Sequence, residues 1–150
     1  MSEYVFAPDM TNRVTARVAA VLPAAGAWDP APIELQCAPY QFVTLFMVYT
    51  EGVQAADGAV DFMIEISPDS VGDTWYQLTE YAPAILAAGV DSDSSIQREY
   101  ITYTATADAI EKFTYGAIEI RGTIQRIRIA ARESGVVGTP GIFGIELLFS

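Results

Sequence analysis

The fold is decided by the stretch Phe42-Val43-Thr44-Leu45-Phe46-Met47-Val48-Tyr49-Thr50, which is strand-length and apolar on both of its faces. Alternate side chains of a strand point to opposite faces of a sheet. A strand of this kind has to be covered on two sides. In a small two-sheet protein, one cover is the other sheet, and the second has to be a loop or another subunit. One face carries Phe42, Phe46 and Val48, and the other carries Val43, Leu45, Met47 and Tyr49.

Alternating apolar positions continue on both sides of this stretch. They predict eight to ten short strands, separated by turns at the spacing typical of sandwiches and barrels. No segment predicts a helix long enough for a parallel crossover, so the sheets should be antiparallel. Residues 81–88 could form a short strand or a helical turn, and residues 107–112 could form one helical turn. The predicted fold is an all-β antiparallel sandwich, best described as a jelly roll. Its predicted core is Val18, Leu45, Met47, Phe62, Ile64, Ile101, Ile127, Ile129, Ile145 and Leu147.

The first residues of the chain read differently from the rest. Residues 1–12 predict an arm, in which Tyr4, Val5 and Phe6 are apolar and Pro8-Asp9 interrupts the run. Residues 13–22 then alternate as a half-buried strand. The predicted organisation is therefore an N-terminal arm, residues 1–12, and one β-sandwich domain, residues 13–150. The predicted core face of the first strand is Val14, Ala16, Val18, Ala20 and Leu22.

The composition argues against most enzyme chemistry. The chain has no histidine and one cysteine, Cys37. Histidine is the common general base and metal ligand near neutral pH. Cys37 is in phase with the apolar Ile33 and Leu35, which predicts a buried thiol. Asp61 and Glu65 share one strand face but lie about 13 Å apart along it, too far for a glycosidase pair. We expect no catalytic residues and no enzyme activity.

No motif predicts a metal or another cofactor. The loop Asp91-Ser92-Asp93-Ser94-Ser95 has oxygen atoms at alternate positions, as calcium loops do. The glycine precedes the acidic residues, however, and Glu99 lies too close to complete an EF-hand. A solvated loop is the expected reading.

The charge balance bears on partners. Nineteen acidic residues face eight basic ones, giving a net charge of −11. Such a surface repels phosphate backbones, so nucleic acid is not an expected partner. Only Lys112 is a lysine, and interfaces are depleted in lysine relative to arginine. The sequence shows neither a signal peptide nor an apolar run long enough for a membrane span, which predicts synthesis in a cytoplasm and no membrane partner.

Three arginines line one face of a predicted strand. Arg126, Arg128 and Arg132 alternate with apolar residues, and like charges on one strand face need partners. Two readings remain open. The arginines either pair with Glu65, Asp61 or Glu119 on neighbouring strands, or dock on an acidic neighbouring subunit.

Aromatic residues leave a similar choice. Trp75 and Tyr76 are adjacent, so only one ring can face the core, and Trp28 lies in a predicted loop. Such rings either pack against the domain or form a platform for a sugar or a protein.

Several segments together carry a resemblance to a family. The order is similar to that of small jelly-roll structural proteins of tailed-phage virions, including head decoration or cement proteins, over about residues 14–149. The resemblance implies a homotrimer on the capsid exterior and no catalytic residues. The segments are Leu22-Pro23-Ala24-Ala25-Gly26-Ala27-Trp28-Asp29, Tyr49-Thr50-Glu51-Gly52, Ile66-Ser67-Pro68-Asp69 followed by Thr74-Trp75-Tyr76, Ile127-Arg128-Ile129-Ala130-Ala131-Arg132-Glu133-Ser134-Gly135, and Thr139-Pro140-Gly141.

The resemblance and the residues lead to one functional hypothesis and one alternative. We expect a decoration protein that contacts other copies of itself and the major capsid protein. The alternative is a carbohydrate-binding or receptor-binding module of a tail or fibre. The outward Phe46 and Val48 should be buried against another subunit or the arm, which should reach a neighbouring subunit. The predicted interface residues are Tyr4, Val5, Phe6, Phe46, Val48, Arg126, Arg128 and Arg132.

Overall fold

The protein is an all-β sandwich of two antiparallel sheets. The computed structural model describes residues 12–52, 58–78, 100–106, 110–120 and 124–150. Strands β3, β4 and β9 coincide closely with the alternating segments of the sequence, since burial of one face fixes the register of a strand. A 3₁₀ turn covers Ala24–Gly26. The strands are β1 Arg13–Val21, β2 Leu35–Gln36, β3 Phe42–Thr50, β4 Ala59–Ser67, β5 Tyr76–Gln77, β6 Ile101–Thr104, β7 Ile110–Glu119, β8 Arg126–Glu133 and β9 Ile142–Phe149.

Each sheet places strands from both halves of the chain side by side. Sheet A has the order β1-β9-β3-β7. Sheet B has the order β2-β8-β4, and both β5 and β6 pair with the remaining edge of β4. All of these pairings are antiparallel. The β-sandwich prediction is therefore confirmed.

The core lies between the two sheets and is built mainly from the alternating inward positions. Burial of these aliphatic and aromatic side chains is the dominant stabilising term. Of the ten predicted core residues, Ile101 is partly buried against the core and Val18 is not in it. The other eight are buried as predicted: Leu45, Met47, Phe62, Ile64, Ile127, Ile129, Ile145 and Leu147.

The prediction for the first strand is wrong in its second half. Val18 is 65% exposed and Ala20 is also exposed, whereas Ala16 and Leu22 are buried. The register of β1 against β9 shifts twice, between Thr15 and Arg17 and between Arg17 and Ala20. An irregularity of this kind breaks the two-residue alternation on which the prediction depended.

Arg17 occupies the irregular part of β1. Its guanidinium donates to the carbonyl oxygens of Ala20, at 3.0 Å, and of Phe143. It also forms a two-pronged ion pair with Asp29, at 2.9 and 3.0 Å. The Arg17 side chain therefore donates to carbonyl oxygens where the backbone pairing of β1 with β9 is irregular. We attribute the outward position of Val18 to this irregularity.

The predicted helical turns have different outcomes. Ile110, Glu111 and Lys112 belong to strand β7, so a helical turn over 107–112 is wrong for that half. Their backbone pairs with β3 opposite Thr50, Tyr49 and Val48, which outweighs weak local preferences. Residues 107–109 and 81–88 lie outside the described residues.

Candidate interaction surfaces

The outer face of sheet B carries internal ion pairs. Arg128 Nε donates to Glu65 Oε1 at 2.9 Å, and Arg132 Nε donates to Asp61 Oδ2 at 2.9 Å. These partners sit directly opposite each other across β4 and β8. Of the intrachain ion pairs that the sequence left open, the structure contains those of Arg128 with Glu65 and of Arg132 with Asp61. Glu119, the third partner considered, lies on β7 in sheet A.

Arg126 is held by a different group of acceptors. Its Nη1 donates to Glu34 Oε1 at 2.7 Å, and its Nε donates to the Asp69 carbonyl at 2.8 Å. Its Nη2 donates to Ser67 Oγ at 3.3 Å and the Gly72 carbonyl at 3.0 Å. Arg126 is buried, and apart from Glu34 all of these acceptors belong to the turn at residues 67–72. Arg126 therefore holds that turn against sheet B.

Both tryptophans pack against this arginine row. The Trp75 ring centre lies 4.7 Å from the Arg126 guanidinium carbon and 4.2 Å from that of Arg128. The Trp28 ring centre lies 4.5 Å from that of Arg132. Cation–π contacts at these distances are attractive. Each tryptophan therefore offers at least one ring face to an arginine of its own chain, and both rings are partly buried.

A polar depression of 430 Å³ opens beside Arg132. Tyr100 lies 4.6 Å from the Arg132 guanidinium carbon and lines this depression. Buried Asp61 accepts from Thr102 Oγ1 at 2.7 Å and from Ser134 Oγ at 2.8 Å, besides its arginine. One carboxylate thus orients three donor side chains that line the depression, those of Thr102, Arg132 and Ser134.

Glu133 is a buried carboxylate that the sequence analysis did not single out. It is 1% exposed and accepts from Tyr49 Oη at 2.7 Å. The backbone nitrogens of Ala59, Gly135 and Gly141 also donate to it, at 3.1, 3.0 and 2.9 Å. Burial, followed by the hydrogen bond to Glu133, raises the pKa of the Tyr49 hydroxyl far above its usual range. The burial of Glu133 could have been predicted from the sequence, because Glu133 is in phase with the inward residues Ile127, Ile129 and Ala131 of β8.

Cys37 behaves as the sequence predicts. The thiol is fully buried, and Sγ lies 3.7 Å from the Ile124 carbonyl oxygen. Burial raises the pKa of the thiol from 9.0 to about 11. A thiol of this kind is protonated at neutral pH, which makes it a poor nucleophile.

The outer face of sheet A carries exposed apolar side chains among threonines and charged residues such as Lys112 and Glu146. Phe46 on β3 is 43% exposed, and Val48 beside it is half-buried. Direct cross-strand neighbours extend the apolar surface, since Ile110 and Ile142 flank Thr50 and are both exposed. Large contiguous apolar surfaces on a folded domain commonly mark interaction sites.

The same face contains a groove of 660 Å³. Phe46 and Val48 lie in it, and Val18 and Ala19 of the irregular part of β1 line one side. A Cβ at Gly144 would lie 3.0 Å from the Ala19 Cβ, closer than ordinary van der Waals contact, so glycine lets β1 approach without displacing Ala19. The groove brings together two of the exposed large apolar residues, Val18 and Phe46, and the half-buried Val48.

The predicted interface residues are thus spread over two faces. Phe46 and Val48 lie on sheet A, whereas Arg126, Arg128 and Arg132 lie on sheet B. Tyr4, Val5 and Phe6 fall outside the described residues, as does the loop 91–95. Among the described residues, no helix has the length and apolar character to cross a membrane, and no group of three or more acidic or cysteine side chains is placed to hold a metal ion.

Comparisons with known proteins were made at three levels. No protein-family model, no curated protein and no solved structure matches this chain. The resemblance to phage structural proteins therefore rests on the sequence segments quoted above.

Proposed function

We propose that this protein is a structural component of a tailed-phage virion, a decoration or cement protein that binds the capsid exterior as a homotrimer. It would be made in the host cytoplasm and would contact the major capsid protein. The proposal combines the resemblance in sequence with the arrangement of strands and surfaces. It assigns the chain no catalytic role and no cofactor.

The strand pairing supports the finer assignment of the fold as a jelly roll. The first strand pairs with the last, β2 with β8, and β3 with β7. The remaining pair is β4 with β5 and β6, which occupy successive positions on the same edge of β4. This is the pattern of one long antiparallel ribbon rolled into two sheets, as in jelly-roll domains of viral capsids.

The observation that carries the functional proposal is the set of exposed apolar side chains on the outer face of sheet A. Phe46 and Ile142 remain 43% and 44% exposed on a face that no described element covers. A monomer that exposes such a face at high concentration would tend to aggregate, whereas a coat protein buries it against neighbours. The arginine row on sheet B is tied up by internal ion pairs, so sheet A is the better candidate for docking.

Capsid binding tests this proposal directly. Capsids of the parent phage that lack the protein should bind the purified chain, and the intact virion should contain it as judged by mass spectrometry. The chain should sediment as a trimer before binding. Absence of the protein from virions, together with no binding to capsids, would overturn the proposal.

A carbohydrate-binding module remains the second candidate, because the polar depression beside Tyr100 and Arg132 displays oriented hydroxyl and guanidinium groups. Tyr76 is also 58% exposed. The tryptophans are weaker candidates for a sugar platform, since arginines occupy ring faces of both. Binding on a glycan array that is lost in Tyr100→Ala, but kept in Phe46→Asp, would favour this function.

A further inference from the structure

The groove on the outer face of sheet A has more basic than acidic residues in its described lining, although the chain as a whole is acidic. Its described lining contains three basic residues, Arg13, Arg17 and Lys112, and one acidic residue, Glu146. The whole chain has nineteen acidic and eight basic residues. The groove therefore concentrates positive charge around an apolar floor on an otherwise acidic molecule.

Lys112 is the cation available to a ligand. Arg13 pairs with Glu146 at 2.6 Å, and Arg17 pairs with Asp29. Among the described residues, no carboxylate lies within ion-pair distance of the Lys112 ammonium group. Lys112 sits directly opposite Val48 across β3 and β7, so a cation borders the apolar floor. Such a groove suits an extended segment that is both apolar and acidic.

Residues 1–11 of this chain have that composition. The segment reads Met-Ser-Glu-Tyr-Val-Phe-Ala-Pro-Asp-Met-Thr, with two acidic and no basic side chains. Its apolar residues Tyr4, Val5 and Phe6 lie between Glu3 and Asp9. We propose that the groove on sheet A is the docking site for residues 1–11 of a second copy of the chain.

The start of β1 favours a second copy over the same copy. Asn12 Oδ1 accepts from Tyr40 Oη at 2.8 Å, and the Tyr40 ring stacks on Phe149. Arg13, the next residue, already lines the groove. A segment entering the groove of its own subunit would have to reverse direction immediately before Asn12. Eleven extended residues reach up to about 36 Å, which is enough to cross to a neighbouring subunit.

This docking deepens the proposed function, because it names the contact that would hold the homotrimer together. A segment of one copy in a groove of the next is a head-to-tail contact, and such contacts close into rings or extend into fibres. Closure after three copies gives the proposed trimer.

A peptide-binding experiment tests the groove without using capsids. A labelled peptide of residues 1–11 is titrated into the chain lacking residues 2–8, and fluorescence anisotropy reports binding. We expect saturable binding that weakens as salt is added, because an acidic segment meets Lys112. Phe46→Asp in the same truncated chain should weaken binding at least about tenfold, since it places a charge on the apolar floor.

Val71→Asp is the matched control. It makes the same apolar-to-acidic change at another exposed position, 76% exposed in the turn before β5. It should bind the peptide as the truncated chain does, and circular dichroism should show that all variants are folded. No peptide binding, or equal loss in Phe46→Asp and Val71→Asp, would overturn the proposal.

A mixture of two variants distinguishes binding of the segment to its own chain from binding to a second chain. The truncated chain keeps its groove and lacks the segment, whereas full-length Phe46→Asp keeps the segment and lacks a usable groove. A mixture should form hetero-oligomers on sedimentation, while each variant alone is monomeric. If the intact chain is itself monomeric and the peptide binds only after truncation, the segment occupies its own subunit's groove and the proposal is wrong. Capsid binding by a chain whose groove takes no peptide would remove this inference and leave the proposed function in place.

Discussion

Two buried ionisable residues, Glu133 and Cys37, contribute to the stability of this protein in different ways. Glu133 accepts hydrogen bonds from four donors in three parts of the chain, so one side chain fixes the loop after β8 to β3 and β4. Cys37 contributes only its apolar volume and a weak contact. Both lie where alternation places inward residues, but only the folded protein shows that the carboxylate is fully satisfied.

Variants of Glu133 and of its partner Tyr49 should lower the free energy of unfolding in the order of the number of hydrogen bonds that they lose. Tyr49→Phe removes one bond and should lower the free energy of unfolding by about 1–2 kcal/mol. Glu133→Ala leaves several buried donors without acceptors and should cost about 3–5 kcal/mol, with Glu133→Gln in between. Urea unfolding followed by circular dichroism measures these values. A smaller loss for Glu133→Ala than for Tyr49→Phe would contradict the assignment.

The thiol predicts a pH dependence. The folded pKa of Cys37 is raised to about 11, so folding favours the protonated form. The stabilisation is complete below the unfolded pKa of 9.0 and is lost as pH rises towards 11, at about 1.4 kcal/mol per pH unit. Unfolding free energies measured at pH 8 and pH 10.5 should therefore fall more for the natural chain than for Cys37→Ala. Equal pH slopes would show that the thiol is not the cause.

At the scale of elements, the two sheets use their outer faces differently. Between β4 and β8, ion pairs and tryptophan contacts occupy the outer face of sheet B. On sheet A, β3 presents Phe46 to solvent between Thr114 and Glu146 of its neighbouring strands. The arginines therefore stabilise strand pairing, and the apolar strand provides the candidate docking surface.

Two ion pairs at different depths should differ in strength. Asp61→Asn weakens the pair with Arg132 and two hydroxyl contacts at a 1% exposed site, and it should cost about 2–3 kcal/mol. Glu146→Gln breaks the exposed pair with Arg13 and should cost less than about 1 kcal/mol. Thermal unfolding of both variants gives the comparison, and similar losses would mean that burial does not strengthen the first pair.

At the scale of the whole molecule, association should be visible in stability. If the groove on sheet A joins copies of the chain, folding and association are linked, so the Tm should rise with protein concentration. The chain lacking residues 2–8 and the Phe46→Asp variant should show a Tm independent of concentration. Differential scanning calorimetry over a hundredfold range of concentration measures this. A concentration-independent Tm for the intact chain would argue against a stable oligomer.

The amino-acid sequence alone was sufficient to predict the β-sandwich and most of its core. Alternation in β3, β4 and β9 identified inward residues such as Leu45, Phe62 and Ile145, because burial of one strand face imposes a two-residue period. It also placed Phe46 and Val48 on the face opposite Leu45 and Met47, because alternate side chains of a strand point to opposite faces.

Contacts between distant strands determine three features that the sequence did not predict: the exposure of Val18, the ion-pair partners of the arginines and the lining of the groove. The outward turn of Val18 accompanies the contacts of Arg17 with Asp29 and with the distant Phe143 carbonyl, which no local pattern encodes. The choice among acidic partners for Arg128 and Arg132 depends on the register of β8 against β4. The positive groove depends on Arg13, Lys112 and Phe46 meeting from three strands. These contacts join residues far apart in the chain, so their geometry follows from sheet register and sandwich packing rather than from neighbouring sequence.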